Sequence, residues 1–161
     1  NPKVNLLFAE SGEGISAYSI LNHRHVSEIE QILSHVSDNK ITLQFTPHLV
    51  PMVRGMFSTI YGRLKDPGLT SEDCNILLEN YYRNFSNVVV LPIGTYPSTK
   101  WVTDTNNIYL SLKVDNRNGR IIILSVIDNL LKGQAGQAYQ SLNLISGLPI
   151  NNELDFRNFY P

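Results

Sequence analysis

Apolar residues recur at Ile29, Ile32, Leu33 and Val36 with polar residues between them, a three-to-four spacing that lines one face of a helix. Ser27, three residues ahead of Glu30, has the form of a capping box and predicts that this helix starts near Glu28. The period then changes to two. Ile41, Leu43 and Phe45 alternate with Thr42 and Gln44, as in a half-buried strand. Pro47 and Pro51 remove ladder donors and fix φ, so the residues between them, His48 included, are expected in a stiff loop. Met52 to Leu64 is rich in β-branched and aromatic residues and predicts a long strand opening at Arg54-Gly55. Pro67-Gly68 turns the chain. Thr70 is placed to cap a second helix with Cys74, Leu77, Leu78, Tyr81 and Tyr82 facing the core.

Val88 to Leu91 reads as a short apolar strand, and Ile15 to Leu21 is β-prone. The clearest hairpin pairs the alternation Ile108, Leu110, Leu112, Val114 with the run Ile121 to Val126 across the turn residues Asp115 to Gly119. Asp128 is expected to cap a last helix that carries Gly133, Ala135, Gly136 and Ala138 and stops at Gly147-Leu148-Pro149. A glycine inside a helix costs about 1 kcal/mol relative to alanine, so two of them imply close approach of another backbone or of a ligand. The order of elements predicts an α+β fold with a mixed, largely antiparallel sheet and helices packed on one face. No glycine-rich phosphate loop follows a strand, so a complete dinucleotide site is not encoded.

With 161 residues the chain is long enough for one domain with a substantial core. Its 13 basic and 14 acidic residues form no cationic run, which argues against nucleic acid or an anionic membrane as partner and in favour of a small molecule. No apolar stretch approaches the ~20 residues that span a bilayer, and no signal-peptide core is visible, so a cytoplasmic location is expected. A lone cysteine, Cys74, excludes an internal disulfide and reads as a small buried hydrophobe. The absence of an initiator methionine and the abrupt end at Pro161 suggest a piece of a longer protein.

Chemistry is concentrated at His23-Arg24-His25, just ahead of the positive end of the first helix, which favours anions. Two apart in an extended approach, the histidines are expected to point to opposite sides. Either imidazole suits acid or base work near neutral pH, and Glu28 could orient the nearer one. A metal site built from His23, His25 and His48 lacks matched carboxylates, so none is expected.

Glu13-Gly14-Ile15-Ser16-Ala17-Tyr18, then His23-Arg24-His25 with Glu28-Ile29-Glu30-Gln31, then Phe45 to Met52 with Arg54-Gly55, then Pro97-Ser98-Thr99-Lys100, then Ile127 to Ala138 follow one another across nearly the whole chain. Together they resemble the N-acetyl-gamma-glutamyl-phosphate reductase family. Departures are Val26-Ser27, where relatives commonly have Thr-Pro, and Thr103-Asp104-Thr105-Asn106, where they commonly have Gly-Ser-Asn. The resemblance implies a glyceraldehyde-3-phosphate-dehydrogenase-like C-terminal domain. Residues 1–131 would bind substrate and dimerise, and residues 132–161 would return to a nucleotide-binding domain. It implies NADPH as cofactor, bound mainly by that other domain, an acyl phosphate substrate, a homo-oligomer (dimer or tetramer), and a nucleophilic cysteine upstream of Asn1. In these terms His25 is the acid/base, oriented by Glu28, with His23 and Arg24 near substrate anions. Arg54 and Lys100 are phosphate or carboxylate ligands, with ion pairing as the alternative. Gly133, Gly136 and Gln137 face the nicotinamide half of the cofactor. A non-catalytic dimerising module, or a reductase of the related aminoadipyl phosphate, are the competing expectations.

Overall fold

The structure, a computed structural model, describes residues 12–154. Cα packing divides it into two compact units that meet in sequence at Val53 and Arg54, and residues 132–154 belong to the second.

In the first unit Ser16–Ala17 (β1) pairs antiparallel with His48–Leu49 (β2). A short ladder therefore forms between the two prolines, where a loop was expected. It is possible because Pro47 contributes only its carbonyl, which accepts from the Tyr18 N–H at 3.1 Å. The β-prone run does not continue to Leu21: Ser19 (φ 48°) and Leu21 (φ 61°) are left-handed and turn the chain. Helix α1, His25–Ser37, begins three residues before the expected start and has no side-chain cap. The capping box fails because both partners are engaged elsewhere. Ser27 Oγ donates to the Arg24 carbonyl at 3.0 Å, and Glu30 Oε1 accepts the Leu43 N–H at 3.0 Å. The same engagement explains why residues 41–45 are extended, with alternate residues half-buried, yet form no ladder. The N–H groups of Ile41 and Leu43 go to Ser34 and Glu30 of α1 rather than to a strand.

The second unit is built on a four-stranded mixed sheet in the order β3-β6-β5-β4. Its strands are Met56–Arg63 (β3), Val88–Val90 (β4), Ile108–Asp115 (β5) and Arg120–Ile127 (β6). The β5/β6 hairpin pairs Ile108 with Ile127 and Asp115 with Arg120, β3 lies antiparallel to β6, and β4 alone is parallel to its neighbour. The long strand expected from Arg54 starts at Met56 instead. Helix α2, Ser71–Tyr82, opens with the expected Thr70 cap: Thr70 Oγ1 accepts the Asp73 N–H at 3.1 Å and Asp73 accepts the Thr70 N–H at 3.0 Å. Its buried face is Ser71, Cys74 and Asn75 with Leu78 and Tyr82 half-buried, while Leu77 and Tyr81 are exposed, so of the expected apolar stripe only Cys74, Leu78 and Tyr82 turn inward. The sheet decides this: Cys74 packs with Leu112 and Val114, and Ser71 Oγ accepts the Val114 N–H at 3.0 Å.

After β6, Leu131–Ala135 form a π turn that runs into helix α3, Gly136–Ile145. The helix ends at Gly147 (φ +71°), with Leu148 N–H donating to Asn143 O at 2.9 Å and Gly147 N–H to Leu144 O at 3.2 Å, the paired bonds that close a helix on a left-handed glycine. Helix α3 is inverted in polarity. It buries Gly136, Gln140 (1 % exposed) and Asn143 (1 %), and turns Leu142, Leu144 and Ile145 (86 %) outward.

Candidate functional site

In the first unit the turn at Ser19 to Leu21 delivers His23 directly beside the first residue of α1. The rings of His23 and His25 meet edge to face at 4.6 Å, so the expectation that they point to opposite sides does not hold. The approach is not extended. The His25 N–H donates to His23 Nδ1 at 3.2 Å, which folds one residue over the other and leaves the proton of a neutral His23 on Nε2. Tyr18 and Phe45 wall the pair at 5.6 and 5.2 Å from the His23 ring. Both imidazoles are half-buried and Arg24 between them is exposed at the helix start. Glu28 is exposed in the first turn, and among the described residues no hydrogen bond joins it to either imidazole. His48 lies on β2, outside this ring cluster. No group of three metal-ligating side chains is assembled among the described residues.

The second unit holds a different centre. Asp128, 0 % exposed at the end of β6, accepts from Arg54 Nε at 3.1 Å and from the N–H groups of Leu130 (2.9 Å), Leu131 (3.0 Å) and Asp104 (2.8 Å). Arg54 also reaches the second Asp128 oxygen at 3.0 Å and Asp104 at 3.2 Å. Burial by itself pushes the Asp128 carboxyl up, but the donors from Leu131, Arg54, Asp104 and Leu130 together hold it below its ordinary value. Arg54 is thus engaged in an internal pair, and Lys100 is exposed in the 3₁₀ turn Thr99–Trp101. Asp104 sits at φ 59°, a left-handed position, and Thr105 (0 %) and Asn106 (2 %) are packed inside.

The two glycines of the last helix differ. A Cβ on Gly136 would overlap Asn106 Oδ1, so a side chain of the same unit accounts for that close approach. Gly133 is exposed, with nothing nearer than 3.4 Å to an added Cβ. Lys132 Nζ donates to Gln137 Oε1 at 2.8 Å and to Gln140 Oε1 at 2.6 Å, and its partial burial lowers the ammonium pKa. Gln140 Nε2 donates to Asn151 Oδ1 at 2.6 Å, and Asn151 Nδ2 to Ser86 Oγ at 2.7 Å. Sequence reasoning missed Lys132 and the central part played by Asp128. The available signal was the polar spacing Gly136, Gln140, Asn143, four and then three apart. Cys74 is buried, and burial followed by the charge of Asp73 raises its thiol, which suits packing rather than nucleophilic work.

Comparison with known proteins extends this geometry. Residues 1–129 match the family described as semialdehyde dehydrogenase, dimerisation domain. A protein of Prochlorococcus marinus (strain MIT 9515) named N-acetyl-gamma-glutamyl-phosphate reductase is 72% identical over 97% of this chain and 44% of its own length. A second of that name, from Prochlorococcus marinus subsp. pastoris (strain CCMP1986 / NIES-2087 / MED4), is 69% identical over 99% of the chain and 46% of its length. The chain therefore spans under half the length of the curated relatives it matches. Among solved structures, aspartate semialdehyde dehydrogenase II complexed with ASA from Vibrio cholerae superposes with a TM-score of 0.62 at 15% identity, covering 77% of this chain and 37% of that one.

Proposed function

Because the chain belongs to the semialdehyde dehydrogenase dimerisation-domain family, we propose that it is the substrate and dimerisation portion of an N-acetyl-gamma-glutamyl-phosphate reductase. The whole enzyme would turn N-acetyl-glutamyl 5-phosphate into N-acetylglutamate 5-semialdehyde and phosphate with NADPH, in arginine biosynthesis in the cytoplasm. The observation that carries this reading is the identity of 72% over 97% of the chain to a relative of that name. That name favours the glutamyl over the aminoadipyl substrate.

In the reaction a thiolate displaces phosphate from the acyl phosphate to give a thioester, and hydride addition gives a hemithioacetal that collapses to aldehyde and thiolate. The cysteine is expected in the part of the protein upstream of this chain. His25 protonates the oxygen that receives charge as hydride adds and takes that proton back on collapse. His23, whose Nδ1 is occupied by the His25 backbone, holds the His25 ring in place and offers Nε2–H to an anion, beside the exposed Arg24. Glu28 faces solvent, so its proposed part is a carboxylate one turn along α1 that meets the His25 ring once substrate is bound. Lys100 remains a candidate for an anionic group; Arg54, held by Asp128, shapes the loop at Asp104.

NADPH supplies the hydride when bound. Gly133, open to its surroundings, and the exposed Gln137 fit a nicotinamide half; Gly136 is filled by Asn106 and supports the turn instead. The inverted polarity of α3 supports the proposal that residues 132–161 dock on a nucleotide-binding domain, since Leu142 and Ile145 have no reason to face water. The half-open sheet face bearing Phe57 and Tyr61 supports a homo-oligomer.

The test is NADP⁺ reduction by the full-length protein with N-acetylglutamate semialdehyde and phosphate. Turnover is expected, with His25→Ala lowering kcat by about 10²–10⁴. Absence of turnover in the full-length protein would remove the reading.

A further inference from the structure

An ammonium carries only donors, so both amides that Lys132 touches must present oxygen to it. This settles which way Gln137 and Gln140 face, a choice their own near-symmetric amides leave open. The polarity then propagates: with its oxygen on Lys132, Gln140 has only Nε2 to give Asn151 Oδ1, and Asn151 has only Nδ2 to give Ser86 Oγ. Two amides and a hydroxyl are thus aligned head to tail from one cation, and Gln137 is oriented on a separate branch from it. Gln140 is inside the fold and completes its bonding there, whereas Gln137 is exposed and its Nε2 is left over as a donor on the first turn of α3, four residues from the open Gly133 of the π turn. π turns inside helices are frequent at functional sites.

We infer that Lys132 is a positioning residue that fixes Gln137 as a hydrogen-bond donor, presented to a carbonyl acceptor on the cofactor, the carboxamide oxygen of the nicotinamide half. This rests on the reading of the chain as part of an NADPH-dependent reductase. Without the cation Gln137 turns freely and offers oxygen as often as nitrogen; with it, only the donor faces outward.

The experiment is NADPH affinity of the full-length protein by fluorescence titration, with thermal melting alongside. Gln137→Glu keeps the contact to Lys132 and removes the donor, so it is expected to weaken binding about tenfold, the worth of one net hydrogen bond. Lys132→Met is expected to weaken it by a similar factor, Lys132→Arg to restore most of it because guanidinium is also donor-only, and Lys132→Met combined with Gln137→Leu to be no weaker than Gln137→Leu alone. An unchanged affinity in Gln137→Glu, or losses that multiply in the double variant, overturns the inference. If Lys132→Met fails to fold, Gln137→Glu and Lys132→Arg decide, since both keep a cationic donor for the buried Gln140 oxygen. A wild-type protein that neither binds NADPH nor turns over would instead refute the functional reading beneath it.

Discussion

At the scale of single residues, Gly133 and Gly136 have opposite roles despite similar sequence settings. An alanine at 136 drives its Cβ into Asn106, which is itself buried and without a hydrogen-bond partner for either amide atom, so the neighbour has little room to give. Gly136→Ala is expected to destabilise by about 1–3 kcal/mol, an ordinary overpacking cost. Gly133→Ala meets only van der Waals contacts at 3.4 Å and is expected to stabilise by up to about 1 kcal/mol. Thermal melts of the two variants should move in opposite directions, and shifts of the same sign would contradict the packing described for the π turn. Asp128 gives a pH signature. Its carboxyl is depressed in the fold, so the stability it contributes is complete above the ordinary value of about 3.9 and disappears as pH falls through the lower folded value. Asp128→Asn is therefore expected to be less stable than wild type at pH 7, with the gap closing below about pH 4. Melting curves across pH check this; a gap that stays constant into acid would show that the charge of Asp128 is not what holds Arg54 and Asp104.

At the scale of elements, caps and partners decide where helices start. Thr70 and Asp73 satisfy each other's backbone donors, and Thr70→Ala is expected to cost about 1 kcal/mol, measured by denaturant midpoint at constant slope. A loss near zero would mean that α2 is positioned by Cys74 and Leu78 alone. Helix α1 shows the contrary case. Ser27 and Glu30 have the right spacing, yet Glu30 caps the Leu43 N–H instead, and the extended segment 41–45 takes its hydrogen bonds from a helix. Spacing identified the residue types correctly and misassigned their partners.

At the scale of the whole molecule, the outward Leu142 and Ile145 of α3 are the feature this chain does not explain by its own packing. If they dock on a nucleotide-binding domain, Leu142→Ser with Ile145→Ser should lower the melting temperature of the full-length protein by several degrees, roughly 2–4 °C per kcal/mol for a domain of this size. The same pair should leave this chain alone almost unchanged. Equal effects on both would place the two side chains inside this chain's own fold.

The amino-acid sequence by itself determined the β5/β6 hairpin, the Thr70 cap, the burial of Cys74 and the stop at Gly147, because each depends on interactions within a few residues: alternation, a capping oxygen, a lone thiol on a helix face, a left-handed glycine. The blocks around His23-Arg24-His25 and Ile127 to Ala138 likewise pointed to the family before any coordinate. Tertiary structure alone decided which face of α2 and of α3 is buried, that His23 and His25 touch ring to ring, and that Asp128 gathers Arg54 and Asp104 from 74 and 24 residues away. Those outcomes turn on competition among distant partners for the same donors and the same buried space, and local spacing carries no record of who wins.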